Sequence, residues 1–167
     1  MDGESYIAPS YIGDCDLKNP SIRGVDRGGG VGHHERRLWG DRLVILPSDE
    51  YGDRRVVGSV IFHGYPTGGP HGRGLPAGIA EVGYGIEAQY QRLGLATEAT
   101  QAAVHWALAQ DGVEAVQAVT FTLNKTSRRV LEKIGMRIIG SDEHDFLGEL
   151  LVYELRRGAA PAATPPR

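Results

Sequence analysis

The chain lacks the features that mark several classes of protein. Its single cysteine, Cys15, cannot form an internal disulfide, which is typical of a reducing compartment, and we expect a cytoplasmic protein. No apolar run reaches the eighteen residues of a membrane span, and the start of the chain has no signal-peptide pattern. Neither sign of charge dominates, because 18 basic and 21 acidic residues leave a net charge of −3. This balance argues against a nucleic-acid partner bound through bulk charge.

Glycine is the residue in excess, and its distribution divides the chain. The 167 residues contain 24 glycines, of which sixteen lie in residues 1–78. Because glycine raises the entropic cost of regular structure, residues 1–41 are predicted to form an atypical, glycine-rich segment. Residues 158–167 hold three prolines and four alanines and are predicted to be a disordered tail. The 116 residues between, 42–157, are expected to form one folded core.

Residue periodicity in the core predicts six strands and two helices. The predicted strands are 42–46, 56–63, 79–87, 115–122, 137–140 and 146–155, with a polar turn at 141–145 joining the last two. One predicted helix begins at Gly94 and closes at Asp111 and Gly112. The other is capped by Asn124 or Thr126 and ended by Gly135. The order β-β-β-α-β-α-β-β predicts a mixed α+β sheet and not a doubly wound repeat.

The junction between the third strand and the first helix carries the clearest chemistry. The free N–H groups and partial positive charge at the start of a helix can hold a phosphate. Gly94 would let a ligand approach the backbone, Ala96 adds little bulk, and Arg92 would add a positive charge. The alternative interpretation is an ordinary strand-to-helix turn, because short glycine patterns are common.

A second motif, combined with the first, identifies a family resemblance. Gln91-x-x-Gly94-x-Ala96 is followed about thirty residues later by Asn124-x-x-Ser127 and then by the segment 131–136, Leu-Glu-Lys-Ile-Gly-Met. In this order the motifs resemble those of the GNAT superfamily of acyl-CoA-dependent N-acyltransferases. Gly83-Tyr84 before the loop and Ala96-Thr97-Glu98-Ala99 after it resemble the RimJ/RimL-like, ribosomal-protein-acetyltransferase branch of this superfamily. The resemblance covers roughly residues 42–157.

The resemblance implies a mostly antiparallel sheet whose third and fourth strands splay apart to hold acetyl-CoA as co-substrate, with no metal. Amides of the loop would bind the pyrophosphate, amides near Ile86 would position the acetyl carbonyl, and Asn124 would bind the pantetheine arm. The implied cofactor-binding residues are Ile86, Glu87, Gln91, Arg92, Leu93, Gly94, Leu95, Ala96, Thr97, Asn124 and Ser127.

The resemblance also implies direct acetyl transfer to a primary amine. Many members have a tyrosine acid seven residues after the asparagine, but Leu131 stands there, and Ser127 is the candidate to protonate or hydrogen-bond the sulfur. The amine must react as the free base, so a carboxylate or histidine is needed. Glu81 is the preferred candidate for this general base. The alternatives left open are Glu87, His63, His144 and Glu149.

The acceptor is the least defined part of the prediction. A peptide amino terminus, an amino acid, a polyamine or an aminoglycoside-like amine would fit, and the segment expected to select it, 1–41, departs from the family pattern. A non-catalytic acyl-CoA-binding or interaction domain is the alternative function. His33, His34 and Glu35 lack the spacing of a zinc site and are interpreted as a solvated loop. No membrane or nucleic-acid partner is expected, and a homodimer that covers a sheet edge is possible.

Overall fold

A computed structural model describes residues 39–46, 54–63, 66, 75–144 and 148–159. The predictions for the glycine-rich amino-terminal segment therefore lie outside the described residues, except at its last three positions. The prediction of a disordered tail, from residue 160 onward, and the interpretation of His33, His34 and Glu35 also lie outside them.

Six strands and two α-helices follow one another in the predicted order. The strands are β1 Arg42–Leu46, β2 Arg55–Phe62, β3 Ile79–Ile86, β4 Ala115–Phe121, β5 Arg137–His144 and β6 Gly148–Arg156. The helices are α1 Leu95–Ala109 and α2 Lys125–Lys133, and a short 3₁₀ turn, Ala88–Tyr90, precedes α1. The elements confirm the predicted α+β class, and most of their ends differ from the predicted ends by no more than two residues.

The strands form a single sheet in the order β1-β2-β3-β4-β6-β5. All neighbouring pairs are antiparallel except β3 and β4, which run parallel. The predicted mixed, mostly antiparallel sheet is thus confirmed. Because β3 and β4 run in the same direction, the segments that follow them leave the sheet on the same side.

The last two strands pair antiparallel as predicted, but the predicted position of the turn between them is wrong. Residues 141–144, assigned to the polar turn 141–145, continue β5 as far as His144, and β6 begins at Gly148 instead of at 146. Among the described strands, β5 pairs only with β6, at the rim of the sheet, and residues 137–143 of β5 are all exposed. An edge strand needs no buried face, so Asp142 and Glu143 are tolerated there and the alternating pattern that marks other strands is absent.

Both helices pack on one face of the sheet. The core takes alternate residues of the central strands, including Val60 and Phe62 of β2 and Ala80 and Val82 of β3. These residues pack against Ala103, Val104 and Ala107 of α1 and Leu131 and Ile134 of α2. The predicted alanine-rich face of α1 is therefore its buried face. Thr100 on the same face is fully buried, and no described residue hydrogen-bonds to its hydroxyl.

An aromatic cluster closes the core at the β1 side. The rings of Trp39, Phe62 and Trp106 meet with centroids 5.0 to 5.7 Å apart. The guanidinium of Arg42 lies 4.0 Å from the Trp106 ring centroid and 4.8 Å from that of Phe62. Through Trp106 and Phe62, the cluster packs the last turns of α1 against β2. The first turn of α1 therefore lies at the opposite side of the core.

Candidate active site

The two central strands diverge after a short paired stretch. Their pairing is limited to Ile79 with Ala115, Ala80 with Val116, and Glu81 with Gln117. Beyond these three pairs, residues 82–86 of β3 and 118–121 of β4 pair only with their outer neighbours. A gap therefore opens within the sheet toward the carboxyl ends of both strands, as the sequence resemblance implies.

The loop that follows β3 at the wide end of the gap presents backbone N–H groups. The side chain of Gln91 donates a hydrogen bond to the carbonyl of Ile86 at 2.9 Å, which ties the loop to the strand. Arg92 and Gly94 have positive φ angles of 65° and 85°, so the chain turns sharply there. Within the described part of the chain, no backbone carbonyl accepts from the N–H groups of Arg92, Leu93 or Gly94.

Gly94 caps α1 without a side chain, so no capping side chain among the described residues accepts from the first helical amides. The first N–H groups of an α-helix have no partner within the helix, and here no side chain caps them. A Cβ built on Gly94 would have no atom of the described residues within 4 Å, apart from those of Gly94 and its two chain neighbours. The start of α1 therefore offers clustered donors, the positive end of a helix dipole and open space, a combination suited to a phosphate.

The second helix starts at the same end of the gap. Asn124 is its cap, since its Oδ1 accepts from the N–H of Ser127 at 3.0 Å, so the structure selects Asn124 over Thr126. This hydrogen bond occupies the side-chain oxygen and leaves the Nδ2 amide as the group that can donate to a ligand. It also fixes the backbone of Ser127 in the first turn of α2.

Ser127 contacts β3 across the gap through a tyrosine. The hydroxyl of Tyr84 lies 2.7 Å from Ser127 Oγ and 3.1 Å from the Ser127 carbonyl oxygen, and its one hydrogen can be donated to either oxygen. Burial raises the pKa of Tyr84 to about 12, with the Ser127 hydrogen bond acting in the opposite direction and Tyr153 adding a smaller increase. Tyr84 entered the sequence analysis only as part of the Gly83-Tyr84 motif, and no role was predicted for it.

Glu81 and Ser127 lie on opposite faces of the sheet. Glu81 alternates with Ala80 and Val82, which are buried beneath the helices, so its side chain projects from the other face. It is the last β3 residue paired with β4, at the closed end of the gap. The structure therefore does not bring the two predicted catalytic residues into contact, but it places them on either side of the same gap.

The other candidate bases are more widely distributed. His63 is half-buried beside Glu81, to whose carbonyl its backbone N–H donates at 2.9 Å. Glu87 and Glu149 are exposed, and each carboxylate accepts one hydrogen bond, from Gln89 and Thr122 respectively. The side chain of His144 lies outside the described residues. His63 and Glu81 are therefore the candidates at the closed end of the gap.

A polar cluster that the sequence analysis missed anchors α2. The buried Tyr153 of β6 donates to Glu132 at 3.2 Å and accepts from Arg128 at 3.4 Å. Arg128 also donates to the carbonyl of Thr122. Arg128 and Glu132 are four residues apart and share a helix face, but their common partner is set by the sheet register, which the sequence does not reveal.

Two further properties concern the described residues only. They contain no group of three or more His, Cys, Asp or Glu side chains arranged to hold a metal ion. None of the helices in the described ranges is long and apolar enough to cross a membrane.

Comparisons with known proteins agree with this architecture. Residues 32–137 match the model of the acetyltransferase (GNAT) domain. The uncharacterized N-acetyltransferase YjdG of Bacillus subtilis is 30% identical over 134 residues, which are 80% of this chain and 64% of that protein. A GNAT-family acetyltransferase structure from Bacillus anthracis matches with a TM-score of 0.53 and 25% identity, over 62% of this chain and 60% of that one.

A third similar protein illustrates the fold alone. Mycobacterium smegmatis RimJ, solved in complex with CoA-disulfide, matches with a TM-score of 0.52 and 21% identity, over 61% of this chain and 48% of that one. The chain therefore spans less than two thirds of the length of each of these three proteins.

Proposed function

Because the chain belongs to the GNAT family of acetyltransferase domains, we propose that it transfers an acetyl group from acetyl-CoA to a primary amine by direct attack. The observation that carries this proposal is the gap between β3 and β4, with the amino termini of α1 and α2 at its wide end. The acceptor amine belongs to a small molecule or a peptide.

The residues at the gap fit acetyl-CoA. Open space at Gly94 and the unpaired amides around it suit the pyrophosphate, with Arg92 as an additional positive charge. The exposed strand edges suit the amide groups of the pantetheine arm, and Asn124 contributes its free amide donors. When bound, acetyl-CoA supplies an activated thioester that an amine can attack.

The chain contributes groups to both sides of that reaction. On the helix side, the hydroxyl of Ser127 provides a hydrogen bond for the negative charge that collects on sulfur as the carbon–sulfur bond breaks. On the opposite face, we assign Glu81 as the base that takes the proton from the attacking ammonium, directly or through a water molecule. Leu131 is fully buried in the core and has no hydroxyl to contribute.

Binding and turnover separate this function from the alternative, a non-catalytic acyl-CoA-binding domain. Acetyl-CoA at a hundred times its dissociation constant should stabilise the fold by about 2.7 kcal/mol in thermal melting. Thiol release measured with a panel of amines should then show turnover. An unchanged melting temperature would refute both functions, whereas stabilisation without thiol release on any amine would favour the alternative.

Two substitutions test the assigned catalytic groups. Ser127→Ala should lower kcat about 10- to 100-fold with little change in acetyl-CoA affinity, since the lost hydrogen bond forms to a developing charge. Ser141→Ala, at an exposed serine of β5, is the matched control. Glu81→Gln should lower kcat about 100-fold or more near neutral pH. If Glu149→Gln or Glu87→Gln has that effect instead, the base is misassigned.

The finer assignments are also proposals. The Gly83-Tyr84 motif, Thr97-Glu98 and Ser127 support placement in the RimJ/RimL-like branch, and the likeness to RimJ is consistent with it. The domain division at residues 41 and 157 and a cytoplasmic location, argued from the lone Cys15, are proposed on the sequence alone.

A homodimer formed through a sheet edge is supported by two apolar side chains on β5. Ile138 and Ile139 are 49% and 54% exposed on this rim strand. Light scattering coupled to size-exclusion chromatography tests this assembly, and a monomeric mass would contradict it.

A further inference from the structure

Two hydroxyl groups from distant parts of the chain meet on the helix side of the gap. Tyr84 lies in the part of β3 that has separated from β4, and Ser127 lies in the first turn of α2. Their oxygens are 2.7 Å apart, the usual length of a hydrogen bond between two hydroxyl groups. No other described side chain hydrogen-bonds to either hydroxyl.

The number of available hydrogens limits what this pair can do. Each hydroxyl has one hydrogen to donate and can accept from others. If Tyr84 gives its hydrogen to the Ser127 carbonyl, which lies 3.1 Å away, Ser127 donates to Tyr84 and no hydrogen remains on Ser127 for a ligand. If Tyr84 donates to Ser127 Oγ, the hydrogen of Ser127 is directed away from the tyrosine and becomes available at the gap.

The negative charge that develops on sulfur favours the second arrangement, because only this arrangement leaves the hydrogen of Ser127 available to bond to it. With a pKa raised to about 12 by burial, Tyr84 keeps its hydrogen throughout the neutral range. An ordinary thiol has a pKa of about 8.5, so a departing thiolate is too weak a base to take that hydrogen. Tyr84 therefore acts as a hydrogen-bond donor and not as an acid.

On the basis of the proposed acetyl transfer, we propose that Tyr84 is a positioning residue for the leaving group. It donates to Ser127 Oγ and thereby directs the hydrogen of Ser127 toward the sulfur. When the amine nitrogen bonds to the carbonyl carbon, the carbon–sulfur bond breaks and its electron pair goes to sulfur. Both hydroxyls keep their hydrogens, and the charge on sulfur is spread along two linked hydrogen bonds.

A double-substitution cycle tests this coupling. Tyr84→Phe keeps the ring but removes the donor, and it should lower kcat about tenfold while the KM for acetyl-CoA changes less than about twofold. Tyr84→Phe combined with Ser127→Ala should be no slower than Ser127→Ala alone, because both changes interrupt the same chain of hydrogen bonds. Independent, multiplicative losses would overturn the proposal.

Tyr153→Phe provides the matched control for a merely structural effect. Tyr153 also holds α2 through its hydroxyl, by way of Glu132 and Arg128, but it does not hydrogen-bond to Ser127. If Tyr84→Phe and Tyr153→Phe lower the melting temperature equally and also lower kcat equally, Tyr84 acts only by anchoring the helix and the assignment is wrong.

A binding measurement tests the same idea without turnover. Calorimetry with CoA and with desulfo-CoA, at about pH 7 and about pH 9, brackets the usual thiol pKa near 8.5. The wild type should gain affinity for CoA, relative to desulfo-CoA, as the thiol ionises, and Tyr84→Phe should lose most of that gain while Tyr153→Phe keeps it. An equal gain in wild type and Tyr84→Phe, or no gain in wild type, would overturn the role of Tyr84. Absence of acetyl-CoA turnover in the wild type would instead overturn the proposed function.

Discussion

Gly94 and Gly112 flank the same helix, α1, and together they allow a controlled test of the candidate phosphate site. Both have positive φ angles, 85° and 76°, and an added Cβ at either position meets no atom of the described part of the chain within 4 Å beyond its own flanking residues. The two differ in location, since Gly94 caps the start of the helix beside the gap and Gly112 lies in the turn beyond its end. The same substitution can therefore be compared with and without a ligand nearby.

The expected effect on stability is similar for the two alanine variants. A left-handed conformation costs an L-residue about 1 to 2 kcal/mol, partly offset because alanine restricts the unfolded chain by about 0.4 to 1 kcal/mol. We expect a net loss of about 1 kcal/mol from each change, which lowers the melting temperature by about 2 to 4 °C in a chain of this size.

The expected effect on binding separates the variants. In Gly94→Ala the methyl group takes the open space in which we place the pyrophosphate, so CoA affinity should fall at least about tenfold, or about 1.4 kcal/mol. Gly112→Ala should bind CoA as the wild type does. Calorimetric titration of both variants with CoA measures this difference. Equal affinities in Gly94→Ala and Gly112→Ala would refute the placement of the phosphate at the start of α1.

Three further predictions concern side chains near the helices. Arg92→Gly places glycine at a φ of 65°, which should relieve backbone strain and raise the melting temperature. It also removes a positive charge, which should weaken CoA binding, and calorimetry at low and high salt measures that change. Thr100→Val replaces a buried, unpartnered hydroxyl with a methyl of similar shape and should stabilise the fold by about 1 kcal/mol in urea unfolding; no gain would mean that the hydroxyl is satisfied. Because burial raises the Tyr84 pKa from 10.0 to about 12, ionising this hydroxyl should cost the fold about 2 to 3 kcal/mol of stability, a loss that develops as the pH rises from 10 toward 12. Unfolding of Tyr84→Phe over the same range should lack that loss.

The order of elements was predictable because local signals agree with the fold. Alternation marks β2 to β4 as half-buried strands, and the alanine repeat of α1 gives the face that packs in the core. Gly112 and Gly135 follow the helices with positive φ angles, as the helix-ending pattern requires. Among the described strands, β5 lacks such a signal, since no described element covers its rim position and polar residues there resemble a turn.

The candidate site was only partly predictable from the sequence. The motif residues Gly94 and Asn124 take up helix-capping positions, which depend on local geometry. The contact between Tyr84 and Ser127 joins residues 43 positions apart and depends on how far β3 and β4 separate. That separation is a tertiary property, and neither the period of a strand nor the cap of a helix encodes it.

The short pairing between β3 and β4 also affects how the sheet opens. It joins two three-stranded halves, each continuous in the chain, one spanning residues 42–86 and the other 115–156. In most sheets the rim carries the unpaired backbone groups and exchanges its amide hydrogens first. Here, within the described residues, residues 82–86 and 118–121 bring a second pair of edges into the middle of the sheet. Amide exchange in the free protein is therefore expected to begin along this central line as well as at the rim, with α1 bridging the two halves.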